Sequence, residues 1–188
     1  LDTARGGSRT TVQLVGVELS GDHYSFDFSL LRRWIGLCEK NGILYLEVSH
    51  LFSQWGAECA PEIIVNVEGT KIKLFGWNTP AVSEKYTAFL HTFLPALKQF
   101  LYECGWLERT WFHISDEPHE YEAESFAAAR ASVLDVLKDC RVIDALSSYA
   151  IYQKGLIDRP VVSVDRIDTF IKAKAPHLWA YYSTVQAL

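Results

Sequence analysis

The stretch Arg109–Pro118, RTWFHISDEP, decides the fold. It opens apolar, as a buried strand does, and its polar residues gather at its C-terminal end. Pro118 ends the strand and suits the first position of a following helix. A strand that runs through acids into a helix is the repeating unit of a parallel sheet with helices outside it.

Working outward, ILYLEVSHLF (Ile43–Phe52) has the same design, with Glu47, Ser49 and His50 towards its end. It reads as a second buried parallel strand. Upstream, Val12–Leu19 reads as a strand, Gly21–Phe28 as an aromatic loop, and residues 28–40 as a helix. In that helix Leu30, Leu31, Trp34, Ile35, Leu37 and Cys38 recur at helical spacing, and Asn41-Gly42 stops it. Ser53–Glu62 is a loop. Residues 63–77 alternate and turn at Glu68-Gly69, a β-hairpin inserted after an early strand. A long helix over 83–104 contains Pro95, expected to kink or divide it, and Gly105 closes it. Beyond Pro118 the pattern predicts a helix to about Asp139, strands at Val142–Tyr149 and Val161–Asp165, a helix over 166–175 and a last strand at Leu178–Val185. The first eleven residues read as a loop. Six strands alternating with helices make an α/β fold. The count suits an open doubly wound sheet, and suits a (β/α)8 barrel only if about two strands are missing.

Composition excludes several classes. Acidic residues outnumber basic ones, the net charge is -5, and the longest basic run is Arg32-Arg33, so nothing suggests nucleic-acid binding. No apolar run approaches the roughly 18 to 20 residues of a membrane span. Cys38, Cys59, Cys104 and Cys140 are too scattered for a zinc site and read as reduced thiols, which leans towards a reducing compartment. The chain starts at Leu1 and contains no Met, as expected of a cut, processed or edited chain.

Four stretches carry a resemblance: Ser49-His50-Leu51-Phe52 with Gln54-Trp55-Gly56; Phe75-Gly76-Trp77; Phe112 to Pro118; and Leu178-Trp179-Ala180-Tyr181-Tyr182. Together they resemble a bacterial family known as domain of unknown function 4091. That family is related to glycoside hydrolase family 123, the β-N-acetylgalactosaminidases. The resemblance runs from about Val12 to Tyr182. It implies one (β/α)8 TIM-barrel-like catalytic domain over residues 1–188, incomplete here, with the hairpin inserted. It makes Val12–Leu19 the second barrel strand and Leu178–Val185 the seventh. An N-terminal β-sandwich domain and the first and eighth strands are then expected in a longer parent. It also implies a carbohydrate substrate and no cofactor or metal.

By the same resemblance Asp116 and Glu117 are the catalytic pair, at the end of the fourth barrel strand. The implied substrate carries a 2-acetamido group whose carbonyl oxygen attacks the anomeric carbon, so one carboxylate orients the amide and the other is the acid and then the base. Two carboxylates this close repel, which raises one pKa, whereas a helix N-terminus just after Glu117 would favour its anion. His113, an even offset from Glu117, shares its strand face and is a candidate for substrate contact, as is His50 at the end of the neighbouring strand. Trp55 and Trp77 flank the hairpin in loops and suit the apolar face of a sugar ring. Tyr149 and Tyr181, near strand ends, are candidate hydroxyl donors.

Three alternatives stand beside this reading. One is a metal-dependent hydrolase using His113, Asp116, Glu117 and His119. The second is a sugar-binding barrel without turnover. The third is an ordinary glycosidase with a second carboxylate at Glu47 or Asp165. A barrel lacking strands exposes apolar sheet edges. The 188-residue segment expressed by itself is therefore expected to self-associate in size-exclusion chromatography, and a monomer that melts cooperatively contradicts this.

Overall fold

In β1 (Gly16–Ser20) Val17 is buried between exposed neighbours, and in β2 (His23–Asp27) Tyr24 and Phe26 alternate with exposed His23, Ser25 and Asp27. This period of two is that of a half-buried antiparallel hairpin, and β1 and β2 pair in that way, with Gly21 at positive φ in the turn. The aromatic loop expected at Gly21–Phe28 is thus mostly strand. The computed structural model describes residues 12–181. The loop expected over the first eleven residues, and the last strand beyond Tyr181, lie outside them.

Helix α1 (Ser29–Lys40) buries Ile35 and Cys38 and ends at Asn41, as expected. Next, β3 (Leu46–Glu47) is far shorter than the strand expected over 43–52, and Ile43, Leu44 and Tyr45 are exposed. The apolar run needs a neighbour on each side to be buried, and β3 has one. β4 (Ile63–Val67) and β5 (Thr70–Phe75) form the expected hairpin, with φ of 51° at Glu68 and 85° at Gly69 as a two-residue turn requires. Helix α2 (Glu84–Glu103) runs unbroken through Pro95, which lies on the solvent face where water can take the carbonyl that proline leaves. Its inner face buries Tyr86, Phe89, Leu90, Leu94, Leu97 and Leu101. Phe89 meets Tyr24 edge-on at 5.1 Å and Phe75 at 5.1 Å, which docks the first sheet on this helix.

The second half alternates short strands and short helices: β6 (Thr110–Phe112), α3 (Ala123–Ala131), α4 (Leu134–Leu137), β7 (Arg141–Val142), β8 (Asp144–Ala145), α5 (Tyr149–Gln153), β9 (Pro160–Ser163), α6 (Ile167–Lys172) and β10 (Trp179–Tyr181). The helix expected from Pro118 to Asp139 starts only at Ala123, after a 3-10 turn over Glu120–Glu122, and breaks before α4.

The (β/α)8 TIM-barrel expectation is overturned. Among the described residues the strands form three small sheets, ordered β2-β1-β4-β5, β3-β6-β7 and β10-β9-β8, and no closed barrel. The reason lies in β1. Both of its edges are occupied, by β2 antiparallel and by β4 parallel, so it cannot pair with β3. The hairpin is therefore not an appendage: β4 is an inner strand of the first sheet. The other two sheets are wholly parallel and meet at residues 141–145, where Ile143 N donates to Phe112 O.

Tyr86 ties α2 to the segment after β3. Its buried hydroxyl, whose pKa burial pushes up, stays protonated and donates to Leu51 O at 2.6 Å. Tyr86→Phe leaves that carbonyl without its partner and is expected to destabilise this unit by about 1–3 kcal/mol, read as a lowered urea midpoint.

Candidate active site

The segments after β3 and β6 run side by side past the end of their short ladder. Val48 N donates to Trp111 O at 2.8 Å, Leu51 N to His113 O at 3.1 Å, Phe52 N to Ile114 O at 3.0 Å and Trp55 N to Asp116 O at 2.9 Å. Side chains reinforce this row. Ser115 Oγ donates to Ser53 O at 2.6 Å, and Cys59 N donates to Ser53 Oγ at 3.1 Å. On the opposite side Asp144, 1% exposed, accepts from Ile114 N at 3.1 Å and Ser115 N at 3.0 Å. The chain therefore reaches Asp116 and Glu117 fastened on both sides.

Asp116 and Glu117 lie beyond the strand, not in it, so the strand alternation expected to place them does not apply. Glu117 adopts φ 46°, a left-handed conformation that a non-glycine side chain enters only when its surroundings hold it there. Its N–H donates to Ala145 O at 3.2 Å. Gln54 Nε2 donates to Asp116 Oδ2 at 2.8 Å. Burial first, then the neighbouring Asp116 charge, raise the Glu117 carboxyl above its ordinary value, against His119 and a hydrogen bond from Ser147. That is the direction mutual repulsion of the two carboxylates favours. Pro118 does not start a helix: a 3-10 turn over Glu120–Glu122 begins three residues after Glu117, and α3 six residues after it.

His113 does not face Glu117. Its ring stands 5.4 Å from that of His50, with Nε2 3.7 Å from Glu47 Oε2 and Nδ1 3.8 Å from Asp144 Oδ1. Burial, then His50, drive its pKa down to about 4, and burial also lowers that of His50 against the pull of Asp116. Burial raises Asp144 well above the usual carboxylate range. Both members of the Asp144–His113 contact are pushed to their neutral forms, so at 3.8 Å this is not an ion pair. His113 is 8% exposed and neither ring nitrogen has a hydrogen-bond partner among the described residues.

Of the aromatic candidates, Trp55 is nearest the pair in the chain's hydrogen bonding, through its own N–H to Asp116 O, and the residue is 41% exposed in a left-handed turn. Gly56, at φ 104°, follows it. A Cβ there would stand 2.8 Å from Glu122 Cβ, so the loop closes tightly on the turn before α3. Trp77 lies half-buried after β5, engaged in contacts of its own. Tyr149 is not at a strand end. It opens α5, and its ring packs edge-on against Phe170 at 5.1 Å. Tyr181 ends β10 opposite Ser163. Nearby, Ser163 Oγ bonds Asp165, whose charge reaches Glu117. A cavity of about 550 Å³ between the segment 12–17, β3 and α2 touches Glu47 and His50 but not the Asp116–Glu117 pair, and its lining is mainly apolar.

Gln54, Asp144 and Ser147 were not identified as site residues from the sequence. Asp144 had a legible signal, an acid inside the apolar run VIDAL. Gln54 stood within a stretch that carries the resemblance but had nothing to mark it as a site residue, and Ser147 fell inside the strand expected over Val142–Tyr149. Among the described residues no group of three His, Cys, Asp or Glu side chains is placed to hold a metal ion, and Cys38, Cys104 and Cys140 are free thiols. No helix there is long and apolar enough to cross a membrane.

The family model of the glycoside hydrolase 123 catalytic domain matches residues 1–188. No curated protein matches the chain. Among solved structures the chain is similar to a family 123 glycoside hydrolase from Clostridium perfringens, studied for glycolipid glycan hydrolysis, with a TM-score of 0.63 and 15% identity. The likeness covers 93% of this chain and 32% of that one, so the chain spans about a third of that enzyme's length.

Asp144 generates a pH test. Its pKa is raised on folding, so above the ordinary carboxylate range the native state keeps a proton that the unfolded chain has released. Stability from this group is then full at low pH and falls as pH rises towards the folded pKa. Asp144→Asn can keep the acceptor for Ile114 and Ser115 without the titration. From about pH 4 upward, the wild type is expected to lose melting temperature relative to this variant.

Proposed function

This chain belongs to the glycoside hydrolase 123 catalytic-domain family, and we propose that it carries the catalytic pair of a glycosidase acting on β-linked 2-acetamido sugars, N-acetylgalactosaminides first among them. The resemblance to domain of unknown function 4091 belongs to this reading as its finer form. So does the expectation that residues 1–188 are one part of a larger catalytic unit. One observation carries the proposal. Two adjacent carboxylates are treated differently by their surroundings, Asp116 by an amide donor at 2.8 Å and Glu117 by burial that favours its protonated form.

The division suits substrate-assisted cleavage. Asp116 accepts the acetamido N–H and aims the carbonyl oxygen at the anomeric carbon. As that oxygen bonds to the carbon, the bond to the leaving oxygen breaks, and Glu117 delivers its proton to the leaving group. Water then attacks the same carbon, gives a proton to Glu117 and displaces the acetamido oxygen, so configuration is retained. Asp116 stabilises the positive charge that builds on the amide. His113 and His50, held neutral, are proposed to contact sugar hydroxyls. Trp55 is proposed to supply an apolar platform, with Trp77, Tyr149 and Tyr181 as further binding residues.

The test is nitrophenol release by the full-length protein from β-linked 2-acetamido and plain hexosides. Turnover of acetamido substrates alone is expected. Glu117→Gln is expected to lower kcat by roughly 10²–10⁴ and Asp116→Asn by roughly 10²–10³. A raised Glu117 must be protonated to act, so the alkaline limb of kcat should belong to it. Plain hexosides turned over equally well would sink the acetamido assignment.

A further inference from the structure

We propose that Gln54 is a positioning residue for the acetamido-orienting carboxylate: its side-chain amide takes Asp116 Oδ2 and so leaves Oδ1 as the oxygen presented to substrate. This rests on the glycosidase reading above. An unheld carboxylate rotates about its terminal torsion and offers either oxygen. A donor fixed on one oxygen removes that freedom, and orientation of the reacting groups is where much of the rate resides.

The geometry makes Gln54 a fixed donor. The residue before it is clamped three times, by Ser53 N to Cys59 O at 2.8 Å, Cys59 N to Ser53 Oγ at 3.1 Å and Ser115 Oγ to Ser53 O at 2.6 Å. The residue after it is tied to the same aspartate, Trp55 N to Asp116 O at 2.9 Å. Asp116 is therefore gripped by its backbone carbonyl and by its side chain from two successive residues. The amide orientation follows from the chemistry, since only Nε2 can donate to a carboxylate. Gln54 Oε1 is buried and has no hydrogen-bond partner among the described residues. Burying a polar atom unpaired is unfavourable, so fold stability alone would not select glutamine here. The grip on Asp116 accounts for it.

The experiment compares kcat and KM on a nitrophenyl 2-acetamido-β-hexoside for full-length wild type, Gln54→Met and Gln54→Glu. Methionine matches glutamine in length and lacks the donor. A hydrogen bond to a charged group corresponds to roughly 10- to 150-fold, so Gln54→Met should lose kcat by about that factor, with KM changed much less and the melting temperature preserved. Gln54→Glu sets a carboxylate against Asp116 at neutral pH and regains an O–H donor when protonated. Its activity relative to wild type should therefore recover as pH falls from 7 to 5. His50, Glu117, His119 and Glu122 are common to both proteins, so the ratio isolates position 54. Wild-type kcat in Gln54→Met, or a flat Gln54→Glu to wild-type ratio across pH, overturns the proposal while leaving the glycosidase reading in place. If Gln54→Met melts early, the Gln54→Glu ratio decides. Absence of wild-type turnover on every acetamido sugar overturns both.

Discussion

The row of hydrogen bonds joining residues 48–55 to residues 111–116 is the constraint on which the candidate site depends. Only two residues of β3 are formally strand, yet the parallel alignment it starts continues through Leu51, Phe52 and Trp55. The donors of Leu51 and Phe52 belong to buried residues and need partners. Satisfying them in register fixes which loop residue faces which strand-end residue. Gln54 meets Asp116 because Phe52 meets Ile114. A shift of one residue would exchange every side-chain direction.

Electrostatics follow from that alignment. The row brings His50, His113, Asp116, Glu117 and Asp144 into one partly dehydrated region, and dehydration disfavours charge. The site's neighbours respond in opposite ways: the carboxyls of Asp144 and Glu117 are pushed up and the imidazole of His113 is pushed down to about 4. Burial thus favours the neutral forms of the groups around Asp116, which itself receives the amide donor. Such an environment suits a reaction whose positive charge appears only at one atom of the substrate.

Legibility in the sequence was uneven for physical reasons. Helix α1, the Glu68-Gly69 turn, α2 and the closing Gly105 were legible because periodicity, turn chemistry and glycine conformations are local. Strand lengths were not, since the apolar run 43–52 says that burial is wanted and not whether a neighbour arrives on each side. β2 was misread as a loop because Tyr24 and Phe26 alternate with polar residues over only five positions. The barrel expectation failed at β1, whose partners β2 and β4 are a matter of which edge meets which.

By itself, the sequence determined the mixed α/β character of the chain, the bounds of α1 and α2, and the adjacency of Asp116 and Glu117, which is covalent. Tertiary structure alone decided which residues surround that pair. It put Gln54 on Asp116 from 62 positions away, turned His113 towards His50 and Asp144, and delayed α3 to Ala123. Hydrogen-bond partners and desolvation are properties of three-dimensional neighbours, and those neighbours are set by strand pairing.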